Sequence, residues 1–258
     1  MFLSLESIES IIGLITIIIA YFLVVTISGC FRAWVALQMG DDTPAQMGFL
    51  KANPLRHLDP VGLISMIFLG FCWSRYIPIM PFNITGRLKK LKIFTALFAD
   101  FFANLAIGFV SLIGLILYFG ADILRISGPM MFLNALNNSG SIFQYIASLS
   151  FIKSIGIVKL TLEKIYPATS SLAISLGMIT IVVMYISVVF AALSFIMNLF
   201  NFFYMMFSGF AYPRHYSNIF VILTPMVLIF LFFFPLRFLV VKGIFTVATI
   251  VTKIFALY

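Results

Sequence analysis

Long apolar runs, not alternating ones, set the pattern of this chain. Ile11 to Phe31 contains no charged residue. At ~1.5 Å per residue it is long enough to cross a hydrocarbon core of ~30 Å as a helix. Ile93 to Ala121 is a second such run, interrupted only by Asp100. Ile165 to Pro213 has no Asp, Glu, Lys or Arg at all. As one helix it would be roughly twice a bilayer long, so it holds either one long helix with a broken tail or two segments. Tyr216 to Leu236 is also uncharged, Pro235 kinks or ends it, and Arg237 to Tyr258 continues as a further apolar segment. The pattern predicts four to six membrane segments in one domain over residues 1–258, with a core at about 11–210 and C-terminal apolar helices over 216–258.

Shorter runs predict different elements. Val61 to Trp73 is apolar but too short to span, and Pro60, Pro78 and Pro81 bracket it. A re-entrant or edge-lying hairpin after the first helix fits that better than a crossing. Ser141 to Lys164 places Ile142, Ile146, Leu149, Ile152 and Ile155 against Gln144, Ser148, Lys153 and Lys159, the pattern of a helix lying in the interface.

Composition narrows the class. With 63% hydrophobic and 9% charged residues and a mean hydropathy of +1.17, the 258-residue chain has too little polar surface for a soluble domain. It is expected to be an all-α polytopic integral membrane protein. No small-residue cleavage site follows the first run, which is therefore expected to be a retained helix. The net charge of +8 does not point to nucleic acid, because Arg75, Arg87, Lys89, Lys90 and Lys92 sit together between two apolar segments without an acid among them. That bias places the Arg75–Lys92 loop on the cytoplasmic side and, with Glu6 and Glu9 ahead of the first helix, the N-terminus outside. A bacterial-type inner membrane is the expected location, and the basic cluster suits anionic headgroups. Cys30 and Cys72 are flanked by apolar sequence and read as small buried hydrophobes.

The chemistry lies in the motifs. Ser28-Gly29-Cys30-Phe31-Arg32-Ala33-Trp34-Val35-Ala36-Leu37-Gln38-Met39-Gly40-Asp41 resembles the first signature of the site-2 protease family of intramembrane zinc metalloproteases, HExxH followed by A-x-x-A-x-x-x-G-D. Gly48 to Gly62, with Asn53-Pro54, His57 and Asp59-Pro60, is similar to the family's G-R-L-T-L-N-P-L-x-H-I-D-P-x-G. Phe71 to Asn83 is similar to F-G-W-A-K-P-V-P-V-N-P-x-N. The resemblance implies a site-2 protease-like helical core, with Gly40, Asp41, Asn53, Pro54, His57, Asp59 and Pro60 as structural motif residues. It also places the first zinc-binding His on Ser28, the catalytic Glu on Gly29 and the second His on Arg32. The third ligand, an Asp, falls on Ser208, and A-G-P-x-x-N reads as Phe98-Ala99-Asp100-Phe101-Phe102-Ala103-Asn104, which keeps the Asn and has Ala99-Asp100 in place of Gly-Pro. A zinc peptidase needs two imidazoles one helical turn apart and a carboxylate beside the first. None stands here, so neither metal nor cofactor is expected, and no catalytic residue is assigned.

Four other polar residues are candidates for partner binding. Asp100 is an ionisable group in an apolar run, and Asn104 shares its helical face at i+4. Asp100 either lies near the cytoplasmic helix end, paired or hydrated there, or has a functional role in binding a partner or an ion. Arg32 either snorkels to the interface or pairs with Asp100 in the space zinc would fill. Asn198 and Asn201 are three apart and suit a hydrogen bond between helices. The resulting expectation is a catalytically inactive homologue that binds a transmembrane helix or a membrane protein subunit, within the bilayer and as part of a larger complex. Two alternatives stand beside it. One is an active metallopeptidase with other ligands, though His57 and His215 are the only histidines. The other is a transporter or channel-like subunit using Asp100. Ser28, Arg32, Asp100 and Ser208 are expected to converge.

Overall fold

A computed structural model describes residues 5–69, 72–120, 159, 162–167 and 169–207. The described residues are helical, without a strand. They form α1 (Leu5–Met39), α2 (Thr43–Gln46), α3 (Pro54–His57), α4 (Pro60–Leu69), α5 (Lys89–Phe119) and α6 (Ser171–Phe207). Three of these are long and apolar enough to cross a membrane, over Ile11–Met39, Lys89–Phe119 and Ser171–Phe203. The chain is an all-α membrane protein.

Each spanning helix is apolar on both its faces. On α1 the stripe Ile11, Ile15, Ile19, Leu23, Ile27, Phe31 and Trp34 is 39–51% exposed, while Ile17, Ala20, Tyr21, Val24 and Val25 are fully buried. Water would penalise that outer stripe, and lipid accepts it. The inner stripe meets Leu112, Leu115 and Ile116 of α5 and Ile181, Val182, Tyr185 and Phe190 of α6 in one core. Helix α5 runs antiparallel to α6, since Asp100 meets Asn198, Gly108 meets Ser187 and Val188, and Phe119 lies on Gly177. Tyr21 meets Phe190 and Arg32 meets Asp100, so α1 runs parallel to α6.

The first spanning helix is longer than the charge-free run that predicts it, because Arg32 is buried in the bundle instead of ending the span. Residues 208–213 of the Ile165–Pro213 run lie outside the described residues, and within the run Ser171–Phe207 forms one unbroken helix of 37 residues, α6. Its start is set by Ser170, whose Oγ accepts from the Ala173 amide at 3.3 Å. The Ser141–Lys164 interface helix lies largely outside the described residues, as do Ser208 and the segments over 216–258.

The loop between α1 and α5 is built on two capped prolines and one carboxylate. Asn53 caps α3 by accepting from the Leu55 amide at 3.1 Å, with Pro54 at the first helical position. Asp59 does the same for α4, accepting from Val61 and Gly62 at 2.9 and 3.1 Å, ahead of Pro60. At 10 residues α4 rises only ~15 Å, half a bilayer, and the chain then returns beside it. A Cβ on Gly62 would collide with the Trp73 carbonyl. Tyr21 of α1 donates its hydroxyl to that same carbonyl at 2.8 Å and holds the hairpin to the bundle.

Gly40 ends α1 at φ 104, which favours glycine, and aims Asp41 inward. The Asp41 carboxylate is fully buried. It accepts from Thr43 N at 3.1 Å, Thr43 Oγ1 at 2.6 Å, Met80 N at 2.6 Å and Asn83 Nδ2 at 2.9 Å. Four donors on one carboxylate make it the joint between the two ends of the loop. Asp41→Ala is expected to loosen this end by about 3 kcal/mol. Limited proteolysis should then cut between residues 40 and 88 while the spanning helices stay protected.

Candidate functional site

Three membrane helices each send one polar side chain to a single point. Arg32 of α1 donates Nη1–H to Asp100 Oδ2 at 2.8 Å. Asn198 of α6 donates Nδ2–H to Asp100 Oδ1 at 2.8 Å. Arg32, Asp100 and Asn198 are 7%, 9% and 2% exposed. Asp100 stands 11 residues into α5 from Lys89, about 16 Å of rise along the helix. Asp100 is paired rather than hydrated, and Arg32 is paired with it instead of snorkelling. Burial decides this, because a lone charge inside the bundle costs more than a paired one.

The site also has unsatisfied groups. Arg32 Nε and Nη2 and Asn104 Oδ1 are buried without a hydrogen-bond partner. Asn104 is 1% exposed on the same face of α5. Asn201 is half-buried, and no hydrogen bond ties it to Asp100 as one ties Asn198.

The positions that the resemblance assigns to zinc chemistry hold other arrangements. Ser28 is buried and its Oγ donates to Val24 O of its own helix at 2.8 Å, an intrahelical bond that turns it away from any metal. Gly29 carries the His57 imidazole directly on its backbone. A Cβ built there would lie within 3.0 Å of three atoms of that ring. His57 Nε2 is 3.2 Å from Lys51 O and 3.4 Å from Cys30 Sγ. A carbonyl can only accept, so Nε2 carries the proton, and it cannot serve as a base toward the Cys30 thiol. Nδ1 faces the helix without a partner. Phe49 closes the ring's other side at 5.6 Å between centroids.

These residues do not fit a zinc ion. Ser28 and Arg32 are committed elsewhere, Gly29 offers no donor, and among the described residues no three His, Cys, Asp or Glu side chains converge. Ser208, the fourth position, lies outside the described residues, so its approach to Ser28 is not described.

Burial holds the His57 imidazole neutral, with its pKa below the usual 6.5. Unfolded, His57 takes a proton as pH falls through about 6.5, and folded it resists, so its contribution is present above that pH and lost below it. Thermal unfolding is expected to shift downward between about pH 7.5 and about pH 5.5, and the shift should shrink in His57→Phe.

Two residues central to this region act at long range. Asn83, the last residue of the third family-like stretch, serves Asp41 across 42 positions, a role that its place in the motif does not reveal. Tyr21, the one tyrosine in the first apolar run, docks the hairpin on α1 through its hydroxyl.

A stretch of 65 residues is 42% identical to a protein of Bacillus subtilis (strain 168) named "Putative zinc metalloprotease YwhC". That stretch is 25% of this chain and spans 28% of the relative's own length. No family model and no solved structure matches the chain. The chain thus has a local relationship to a zinc metalloprotease-like protein.

Proposed function

We propose that this chain is a catalytically inactive homologue of the site-2 proteases and acts as a subunit or scaffold for transmembrane partners. The observation that carries this reading is the Arg32–Asp100–Asn198 tripod. It stands where the resemblance would have one of the zinc-binding imidazoles, and it joins α1, α5 and α6 without a metal. The His57 ring against Gly29 supports the same reading, since the carboxylate that would activate water has no space there.

The tripod also bears on the transporter alternative. Both Asp100 oxygens are engaged, one by Arg32 and one by Asn198, which makes Asp100 a poor carrier for a passing cation. The membrane location and the helical bundle leave a lipid-facing surface on α1 and α5 on which a partner helix has room to lie. The expected result is zinc far below one per chain after chelator washing, and no cleavage of a membrane-embedded peptide. About one zinc per chain together with cleavage would overturn the proposal. Purification in mild detergent, followed by identification of co-eluting membrane proteins in the native host, tests the partner half.

A further inference from the structure

The start of α5 gathers charge and apolar surface in a way that neither the tripod nor a partner helix uses. Arg87 and Lys90 are exposed, and Lys89 and Lys92 are half-buried. Between them Leu88 and Leu91 are 60% and 57% exposed, and Phe82 beside them is 59% exposed. Lys89 Nζ lies 6.0 Å over the Phe82 ring, and Lys92 Nζ donates to Thr85 O at 3.3 Å. No Asp or Glu occurs from Val61 to Ala99. Asp41, the carboxylate that reaches this loop through Met80 and Asn83, is buried and fully engaged.

We propose that this surface is a binding site for the headgroup of an anionic phospholipid, with Arg87 and Lys90 on the phosphate and Leu88, Leu91 and Phe82 among the upper acyl carbons. Two features select a lipid over an acidic protein or nucleic acid. The patch opens a membrane-crossing helix and so sits at headgroup depth. Its exposed apolar side chains alternate with its cations, so that one neighbour must supply both hydrocarbon and negative charge. Lysines in the first turn of a helix also repel its positive end and one another, and a phosphate relieves both. The site is independent of the pseudoprotease reading, since it uses no residue of the tripod or of the His57 contact.

The experiment is native mass spectrometry of the detergent-purified chain equilibrated with equimolar phosphatidylglycerol and phosphatidylcholine. Retained phosphatidylglycerol should exceed phosphatidylcholine by roughly tenfold or more, at about fivefold for each surface cation. Arg87→Gln with Lys90→Gln should remove most of that preference. Both positions are exposed, so the fold should tolerate the pair. Arg87→Lys with Lys90→Arg should keep the preference, and so should Lys51→Gln with Arg56→Gln, whose cations lie elsewhere on the loop. Inorganic phosphate in excess should not displace the lipid. Equal retention of the two lipids, an unchanged preference in the Gln pair, an equal loss in the Lys51 and Arg56 pair, or displacement by free phosphate would each overturn the proposal.

Discussion

Replacing Asp100 with Leu is expected to destabilise the three-helix core by about 3–5 kcal/mol, because it leaves the Arg32 guanidinium buried with no counter-charge. Arg32 is only 7% exposed, and two of its nitrogens already lack partners. Its Nη1 would become the third, at a depth where each unsatisfied group is penalised more than in water. Arg32→Leu should be milder, since a carboxylate can be neutralised by a proton and a guanidinium cannot. Asn198, which already donates to the carboxylate at 2.8 Å, would keep one oxygen satisfied. Asn198→Leu alone should fall near the ~0.6 kcal/mol typical of hydrogen bonds between membrane helices. The double variant Arg32→Leu/Asp100→Leu is expected to recover most of the loss, because two apolar side chains of similar volume carry no desolvation penalty. A mixed-micelle denaturant titration followed by circular dichroism reads all four variants. Equal losses in Asp100→Leu and in the double variant would remove the charge pair from the account.

How far the sequence foretold this depends on whether the deciding interaction is local. The spanning helices were legible because run length and missing charge are properties of the chain itself. Asn53 and Asp59 entered only as motif residues of the resemblance, and the fold shows them to be caps, each acting within three residues of itself. Ser170 caps α6 in the fold, but Thr169, Ser170 and Ser171 are all good N-cap residues, so the chain alone does not say which of them begins the helix. Asp100 and Arg32 were recognisable as out of place, yet snorkelling, hydration and pairing are equally compatible with an isolated charge. Only the packing of α1 on α5 across 68 positions decides among them. The contact of His57 with Gly29 had no signature at all. A glycine in place of a catalytic carboxylate reads as simple loss, whereas in the fold it is the surface on which α3 docks. The tripod and the docked imidazole join α1 to α5, α6 and α3 through side chains of the chain itself.

That contact carries the other large expected effect. Gly29→Ala should destabilise the chain by about 1–3 kcal/mol, although alanine is the better helix former by about 1 kcal/mol, because the added methyl enters the His57 ring. His57 has little room to retreat, being 1% exposed and held between Lys51 O and Phe49. His57→Gly in the same chain is expected to return Gly29→Ala to the stability of His57→Gly alone, which separates a collision with the imidazole from a general intolerance on α1. The same geometry bears on reactivation. Ser28→His, Gly29→Glu and Arg32→His together would restore the sequence of the zinc motif, but the side chain added at position 29 would meet the imidazole and Asp100 would lose its cation. Such a chain is expected to express poorly, to hold no stoichiometric zinc and to cleave nothing. Adding His57→Gly should improve its folding without conferring cleavage, since Ser208 still stands where the resemblance requires an Asp. Elemental analysis and a cleavage assay on both variants check this, and one zinc per chain in the triple variant would show that α3 can yield its place on α1.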